Sequence, residues 1–544
     1  MNTLLAQFAI LLLTATLTSV LMRERGWSNL LPLIVLGAVL GQLPISHQTT
    51  LAPDMIMVFF LVPLVFGDAI TTSLRELRKN GLDILALALF PVIASTLMVG
   101  LAARWLTGMP WPLAFALGAI LSPTDTVALG SLTKATPLPR QLRTIMEGEA
   151  LLNDVSGLTA LHLSTLALLA GQISTSEAAR VFLEAHLVGL GVGLLGGWLM
   201  TRMIKASHDE IACNSLTMVV PFGVYAVADY FDGSGILAIV CTALAIGQAQ
   251  NKHTAFGGRV QTVAIWEHLG FILQSTAFLL MGIELPNILI RLPDAELGIL
   301  LGLSLTVLLA LILARFFTLL VLRALLVKLR PRIPIPWRST LLVSWFGVRG
   351  PVSSMAAFTL PMTFNSGELI PYRDLAVASA FLVIVVTVML SHTLKPLIAT
   401  LGIIEEDDHN RRELEVLDRV MTAVLDLIDQ WINTAQTRDT GGAELNILQH
   451  ARTEYSYRKA RYRDLLAGID DASRTLNSLE NNGTDRPFVY DAIHSDLAVK
   501  LALAEREALV TMEHPYEIPD EVVRKILRDT DTRLQLLNNL IRRA

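Results

Sequence analysis

The sequence predicts an all-α polytopic membrane protein with a small helical polar tail, and three observations predict it. Of 544 residues, 53% are apolar and only 17% charged, a balance too apolar for an ordinary soluble chain. The apolar residues gather into thirteen runs, each about the length a helix needs to cross roughly 30 Å of hydrocarbon. The charge is gathered too: residues 403–544 hold 46 Asp, Glu, Lys and Arg, against 45 in the 402 residues before them. The chain therefore divides into a membrane part, 1–402, and a cytoplasmic tail, 403–544.

The runs centre near residues 12, 36, 63, 92, 121, 156, 192, 221, 242, 274, 311, 350 and 386. Connections after odd-numbered spans carry Arg23 and Arg25; Arg75, Arg78 and Lys79; Lys134, Arg140 and Arg143; Arg202 and Lys205; Lys252 and Arg259; and Arg323, Lys328, Arg330, Arg332 and Arg338. Those after even-numbered spans carry only Arg104, Arg180, Arg291 and Arg373. By the positive-inside rule this puts the N-terminus outside and the tail in the cytoplasm. The first span has no basic residue before it and two after it, so it reads as a retained helix, not a cleaved signal. Cys213 and Cys241 both fall in predicted helices and read as packing, as do the glycines of "GLGVGLLGGWL", 189–199.

Charge inside the apolar runs is the more informative signal. A charged side chain at the bilayer centre costs about 2.5–3.5 kcal/mol on insertion scales, so it is normally paired, faces water or serves transport. Asp68, Asp125, Glu149, Asp154 and Arg349 meet that description. In "EGEALLND", 147–154, helical spacing puts Asn153 on the face of Glu149 and Asp154 about 100° further round. The competing reading is a polar helix start at the membrane surface, which suits Glu147 better than the deeper Asp154.

Two spans carry interruptions. In "WPLAFALGAILSPTDTVALGSL", 111–132, Pro123 removes a backbone donor while Ser122, Thr124, Asp125 and Thr126 offer local bonds to the main chain. In "LLVSWFGVRGPVSSMAAFTLP", 341–361, Gly347, Gly350 and Pro351 surround Arg349. Breaks in corresponding places, the middles of spans 4–6 and 11–13, suggest inverted repeats with a site where the breaks cross. Arg349 there needs an anionic partner, and Glu149 is the expected one; the alternative is that Arg349 satisfies carbonyls of the broken helices.

"SPTDTVAL" at 122–129, "EGEALLNDVSGL" at 147–158, "FLLMGIELP" at 278–286 and "FGVRGPVS" at 346–353 resemble the signature segments of bacterial sodium/proton exchangers of the monovalent cation/proton antiporter-one family. The likeness spans roughly residues 1–400, and the tail resembles that of a subgroup with a charged helical cytoplasmic extension. It implies that Asp154 binds a cation or a proton in turn, that Asn153 orients the site, and that Thr124 and Asp125 are the pair on the unwound helix. It further implies that Asp68 helps hold the ion, so that Na⁺ sits among Asp154, Thr124 and Asp68, and that Glu149 and Arg349 form a structural ion pair. Many members have serine where this chain has Ala150, so one hydroxyl ligand is absent and the preference among Na⁺, K⁺ and Li⁺ is open.

The resemblance implies a dimerisation bundle of spans 1–3 and 8–10 beside a six-helix core, a homodimer, a bacterial inner-membrane location and a part in pH homeostasis. It implies electroneutral exchange of cytoplasmic Na⁺ for external H⁺, with no cofactor beyond the transported ions. Hard oxygen ligands suit alkali cations. A channel is the alternative, although one buried site on broken helices fits alternating access better than a conduit. No H-E-x-x-H or G-x-x-x-x-G-K-[ST] occurs, and "WEHLGF", 266–271, lacks a second histidine at the right spacing, so an enzyme or P-loop pump is disfavoured. In the tail, 413–432 and 496–512 keep apolar residues at helical spacing, with connections at 439–444 and 481–487. Packing helices are one reading of the tail and regulation the other.

Overall fold

A computed structural model of the chain describes residues 2–25, 29–42, 53–72, 74–79, 81–125, 140–170, 175–207, 209–253, 256–329, 337–345, 347–364, 366–402, 408–437, 442–471, 495–511, 526–527 and 529–530. The second half of the fifth predicted span, 126–132, and the predicted connection at 481–487 lie outside them. The described residues are helical apart from turns, short irregular stretches and one isolated β-bridge, Thr363 with Leu369. That is the expected outcome for a chain in lipid, where a helix satisfies its own backbone polar groups.

The helices are α1 (Asn2–Glu24), α2 (Leu30–Gly41), α3 (Pro53–Ile56), a π-helical turn at Met57–Leu61, α4 (Val62–Thr71), α5 (Leu74–Lys79), α6 (Gly81–Thr107), α7 (Trp111–Leu121) and α8 (Arg140–Ala170). They continue as α9 (Thr175–Ala206), α10 (Glu210–Tyr230), α11 (Gly235–His253), α12 (Phe256–Arg291), α13 (Asp294–Leu329), α14 (Trp337–Trp345), α15 (Pro351–Phe358), α16 (Arg373–Ser391) and α17 (Leu394–Leu401). The tail contributes α18 (Asp408–Thr437), α19 (Gly442–Asp471) and α20 (Ser495–Thr511).

Among the described residues, six helices are long and apolar enough to cross a membrane, within α6, α9, α10, α12, α13 and α16; shorter apolar helices lie at Leu30–Gly41, Met57–Thr71, Trp111–Leu121 and Gly235–Gln250. The predicted span centres fall in helices except the one near residue 350, which falls in the interruption between α14 and α15. α8 begins at Arg140, so "EGEALLND" lies well inside a helix and is not a helix start. Its four-residue spacing acts as helical geometry requires: Glu149 and Asn153 share a buried face, each 1% exposed, while Asp154 beside them is half-buried.

By Cα proximity the chain forms two units, one of Met1–His253 with Thr262–Ile404, the other of Thr254–Gln261 with Glu405–Ala544. In the first, α6, α7, α8, α13, α15 and α16 pack on one another, while α9, α10 and α11 form a second group with α4 against α11. The glycines of 189–199 serve that second group. A Cβ at Gly189 or Gly193 would run into the backbone of Ser234 or Ala238, so the stripe admits α11 at close range, as small residues do between membrane helices. Cys241 borders this contact, and both cysteines are free thiols. α12 lies backbone to backbone with α2, where Gly37 and Gly41 meet Leu279, Gly282 and Ile283, and Ser19 of α1 donates to Ser275 of α12 at 2.8 Å. In the tail unit, Val416, Val420, Val424 and Ile428 of α18 form an apolar core with Tyr455 of α19 and Leu501 and Leu509 of α20.

Candidate functional site

The site grows out of the two interruptions. α7 stops at Leu121 because Pro123 cannot continue the ladder, and Ser122 bonds back to the Ala119 carbonyl at 3.0 Å. The second break runs from Gly347 to Gly350, after which Pro351 opens α15 at a position where its missing N–H costs nothing. The breaks touch directly: the Asp125 backbone N–H donates to the Val348 carbonyl at 2.9 Å. A side chain at Gly350 would collide with the Asp125 carboxylate, so the crossing needs glycine there.

α8 passes beside this crossing. Gly157 makes room for the Pro123 ring, and Asn153 Nδ2 donates to Thr124 Oγ1 at 2.9 Å with both residues buried. The Asn153 Oδ1 is buried and accepts no hydrogen bond, an amide oxygen left over at the point where oxygen ligands would be wanted. Asp154 is half-buried next to it, Asp125 is half-buried in the break, and Asp68 projects from α4 as an exposed residue. These three carboxylates lie within electrostatic reach of one another. The structure thus brings together Thr124, Asp125, Asn153, Asp154 and Asp68 from three segments far apart in sequence. Ala150, one turn before Asp154, is buried and offers no oxygen.

The expected pairing of Glu149 with Arg349 is corrected by the geometry. Glu149 Oε1 is 2.7 Å from Arg315 Nη2, with both side chains almost wholly buried. Arg315 also donates through Nε to the Val343 carbonyl at 2.9 Å. Arg349 donates instead through Nε to the Leu121 carbonyl at 2.7 Å and through Nη1 to the Gly347 carbonyl. Its guanidinium therefore satisfies main-chain acceptors exposed by both breaks, the alternative role weighed for it, and a fork of fixed donors suits that task. Glu149 still lies within its electrostatic reach, and the two arginines line one small cavity with Ser344, Trp345 and Thr387. Arg315 was missed from sequence although the signal existed, since it is an arginine deep inside the 30-residue apolar segment Glu296–Leu325.

Among the described residues, no group of three or more His, Cys, Asp and Glu is placed to hold a metal ion. Oxygen atoms on interrupted helices, in an all-helical membrane protein, define a secondary transporter of small cations. The chain belongs to the sodium/hydrogen exchanger family: the family profile described as "Sodium/hydrogen exchanger, transmembrane" matches residues 9–400. It is a sodium/proton antiporter and not an enzyme. Over 96% of its length and 97% of the relative's, it is 29% identical to the uncharacterized Na⁺/H⁺ exchanger YjcE of Escherichia coli. It is 30% identical to the sodium, potassium, lithium and rubidium/H⁺ antiporter of Bacillus pumilus, over 67% of this chain and 56% of that one. Among solved structures, the sodium proton antiporter MjNhaP1 of Methanocaldococcus jannaschii shares the fold with a TM-score of 0.57 and 18% identity, covering 73% of this chain and 98% of that one.

Proposed function

We propose that the antiporter works by alternating access at Asp154, which holds a cation and a proton in turn and exchanges cytoplasmic Na⁺ for external H⁺ one for one. The observation that carries this reading is the Asn153–Thr124 hydrogen bond at 2.9 Å. It ties the helix bearing Asp154 to the first break and brings the Thr124 hydroxyl and the leftover Asn153 oxygen to the residue beside Asp154. Asp125 and Asp68 add negative charge around it, which favours any cation that enters. Burial in low dielectric gives the same carboxylate the means to hold a proton once the cation has left.

The remaining features follow from the same reading. The thirteen spans arrange as inverted repeats, with a bundle of spans 1–3 and 8–10 beside a core that carries both breaks, and two chains associate through their bundles. The protein lies in the bacterial inner membrane with its tail, 403–544, in the cytoplasm, needs no cofactor and contributes to pH homeostasis. Because Ala150 offers no hydroxyl, the ion is held by the carboxylates and the Thr124 and Asn153 oxygens alone, with one hydroxyl ligand fewer to set its size preference. Li⁺ and K⁺ are accordingly expected to compete with Na⁺, as the name of the Bacillus pumilus relative indicates for that protein.

The test is a proteoliposome assay of internal pH on adding Na⁺, Li⁺ or K⁺. Wild type moves protons only when a transported cation is present, and Asp154→Asn, inserted normally, moves none. Cation-driven proton movement by Asp154→Asn at the wild-type rate refutes the assignment.

A further inference from the structure

The segment "FLLMGIELP" contributes no residue to the cation site, yet its Glu284 belongs to a set of ion pairs at the other end of α12. Arg291 donates through Nη2 to Glu284 Oε1 at 2.9 Å and through Nε to Asp374 Oδ2 at 3.0 Å. Asp374 Oδ1 also accepts from Arg373 Nη1 at 2.9 Å, and the buried Arg373 is anchored by donating to the Leu360 carbonyl at 3.2 Å. Glu284 thus aims the Arg291 guanidinium from its own helix, and Arg373 aims the Asp374 carboxylate from the other. Among the described residues, Arg291–Asp374 is the only ion pair joining α12 to the helices that carry the breaks.

On the alternating-access reading the two partners stand on different sides of the moving boundary, and α16 also touches α2 across it. α12 is packed backbone to backbone on α2 and bonded to α1. α16 packs on α7, α13 and α15, and its Thr387 accepts from the Arg349 backbone N–H at 3.3 Å. The tie lies at the C-terminal end of α12 and the N-terminal end of α16. By the orientation proposed above, in which connections after even-numbered spans lie outside, that is the outer face. A hydrogen bond is lost once donor and acceptor separate beyond about 3.5 Å. Any displacement of the break-carrying helices past α12 large enough to open that face therefore breaks the tie.

We propose that Arg291 and Asp374 are rate- and affinity-setting residues of the exchange cycle, forming a tie across the outer face that holds the cation site open to the cytoplasmic side and opens at each turnover. This rests on the alternating-access reading above. Glu284 and Arg373 are positioning residues for the pair. Weakening the tie moves the population toward the outward-facing state and lowers the apparent affinity for cation presented at the cytoplasmic side by the fraction of molecules removed from the competent state.

The test uses the full chain in proteoliposomes with Cys213 and Cys241 replaced by alanine. Arg291→Cys and Asp374→Cys are combined and joined by a reducible bis-thiosulfonate crosslinker, with each single cysteine variant as control. Crosslinking should cut Na⁺-driven proton movement at least about tenfold, with recovery on adding reductant, because a tie that cannot open stops the alternation. In the native background, Arg291→Gln and Asp374→Asn should each weaken apparent Na⁺ affinity on the cytoplasmic side about two- to fivefold, the range of a partly exposed ion pair. Crosslinked protein that exchanges as fast as the reduced protein overturns the tie. An unmodified protein that moves no protons in response to any alkali cation overturns the exchange reading itself.

Discussion

Arg315 Nη2 sits 2.7 Å from Glu149 Oε1 in an interior where neither side chain exposes more than 4% of its surface. Neither charge can be hydrated there, so each depends on the other. Removing one partner of a buried pair leaves an uncompensated charge and costs about 3–5 kcal/mol, whereas removing both costs much less. Arg315→Met alone should therefore lower thermal stability more than Glu149→Gln with Arg315→Met. Recovery in the double variant should be incomplete, because Arg315 also holds the Val343 carbonyl. Unfolding of the purified variants in detergent measures this, and additive losses would show that the pair is not coupled.

The crossing of the breaks makes a steric prediction. A methyl group at Gly350 would occupy the space of the Asp125 side chain, so Gly350→Ala must displace Asp125 or open the Asp125–Val348 backbone bond. A shift of about 1 Å at such a site can cost on the order of a hundredfold in rate. Gly191, on α9, has nothing near its missing side chain, so Gly191→Ala should leave both folding and exchange unchanged. Equal exchange rates for the two variants would contradict the crossing.

These cases show what was legible in the sequence. Both interruptions were visible because Pro123 and the Gly347–Pro351 stretch break apolar runs by known backbone chemistry, and the face shared by Glu149 and Asn153 followed from their spacing. The partner of Glu149 was not visible. Nothing in residue order says whether Arg315 or Arg349 reaches it, since that depends on how far α13 and the second break lie from α8 in space. The true start of α8 was also hidden: Arg140 and Arg143 look like a loop by charge, yet the helix begins at Arg140, so charge marked the membrane boundary and not the helix boundary. Arg291 and Arg373 read from sequence as loop charges, and the tie of Arg291 to Asp374 depends on tertiary packing alone.

The tail carries one buried polar contact whose loss can be measured. Tyr455 Oη donates to Glu505 Oε1 at 2.5 Å, joining α19 to α20, with both residues buried. Tyr455→Phe keeps the ring in the apolar core but removes a donor from a buried carboxylate, a change worth about 1–3 kcal/mol. Hydrogen–deuterium exchange should rise across α18, α19 and α20 while helices of the membrane part keep their protection. Unchanged tail protection would mean that the contact contributes nothing to its stability. Truncation near Glu405 extends the test: the shortened chain should insert and still exchange ions with an altered pH profile, and loss of all exchange would make the tail part of the machinery.

The stoichiometry follows from how many groups change their proton at the site. Asn153 is neutral and its Nδ2 is occupied by Thr124, so it cannot carry a proton. Asp125 and Asp68 lie within electrostatic reach of Asp154, so the three carboxylates act on one another's charge. On the proposed reading Asp154 alone trades one proton for one monovalent cation, and the loaded site then has the same net charge in both directions. Exchange should therefore be electroneutral. Setting the membrane potential in proteoliposomes with a gradient of the permeant anion thiocyanate, with Na⁺ as the driving ion, should leave the initial rate unchanged within about 20%, although one charge moved through 100 mV would correspond to about 2.3 kcal/mol. A rate that rises or falls severalfold with the imposed potential would require a second proton, and Asp68→Asn would then be expected to restore electroneutrality.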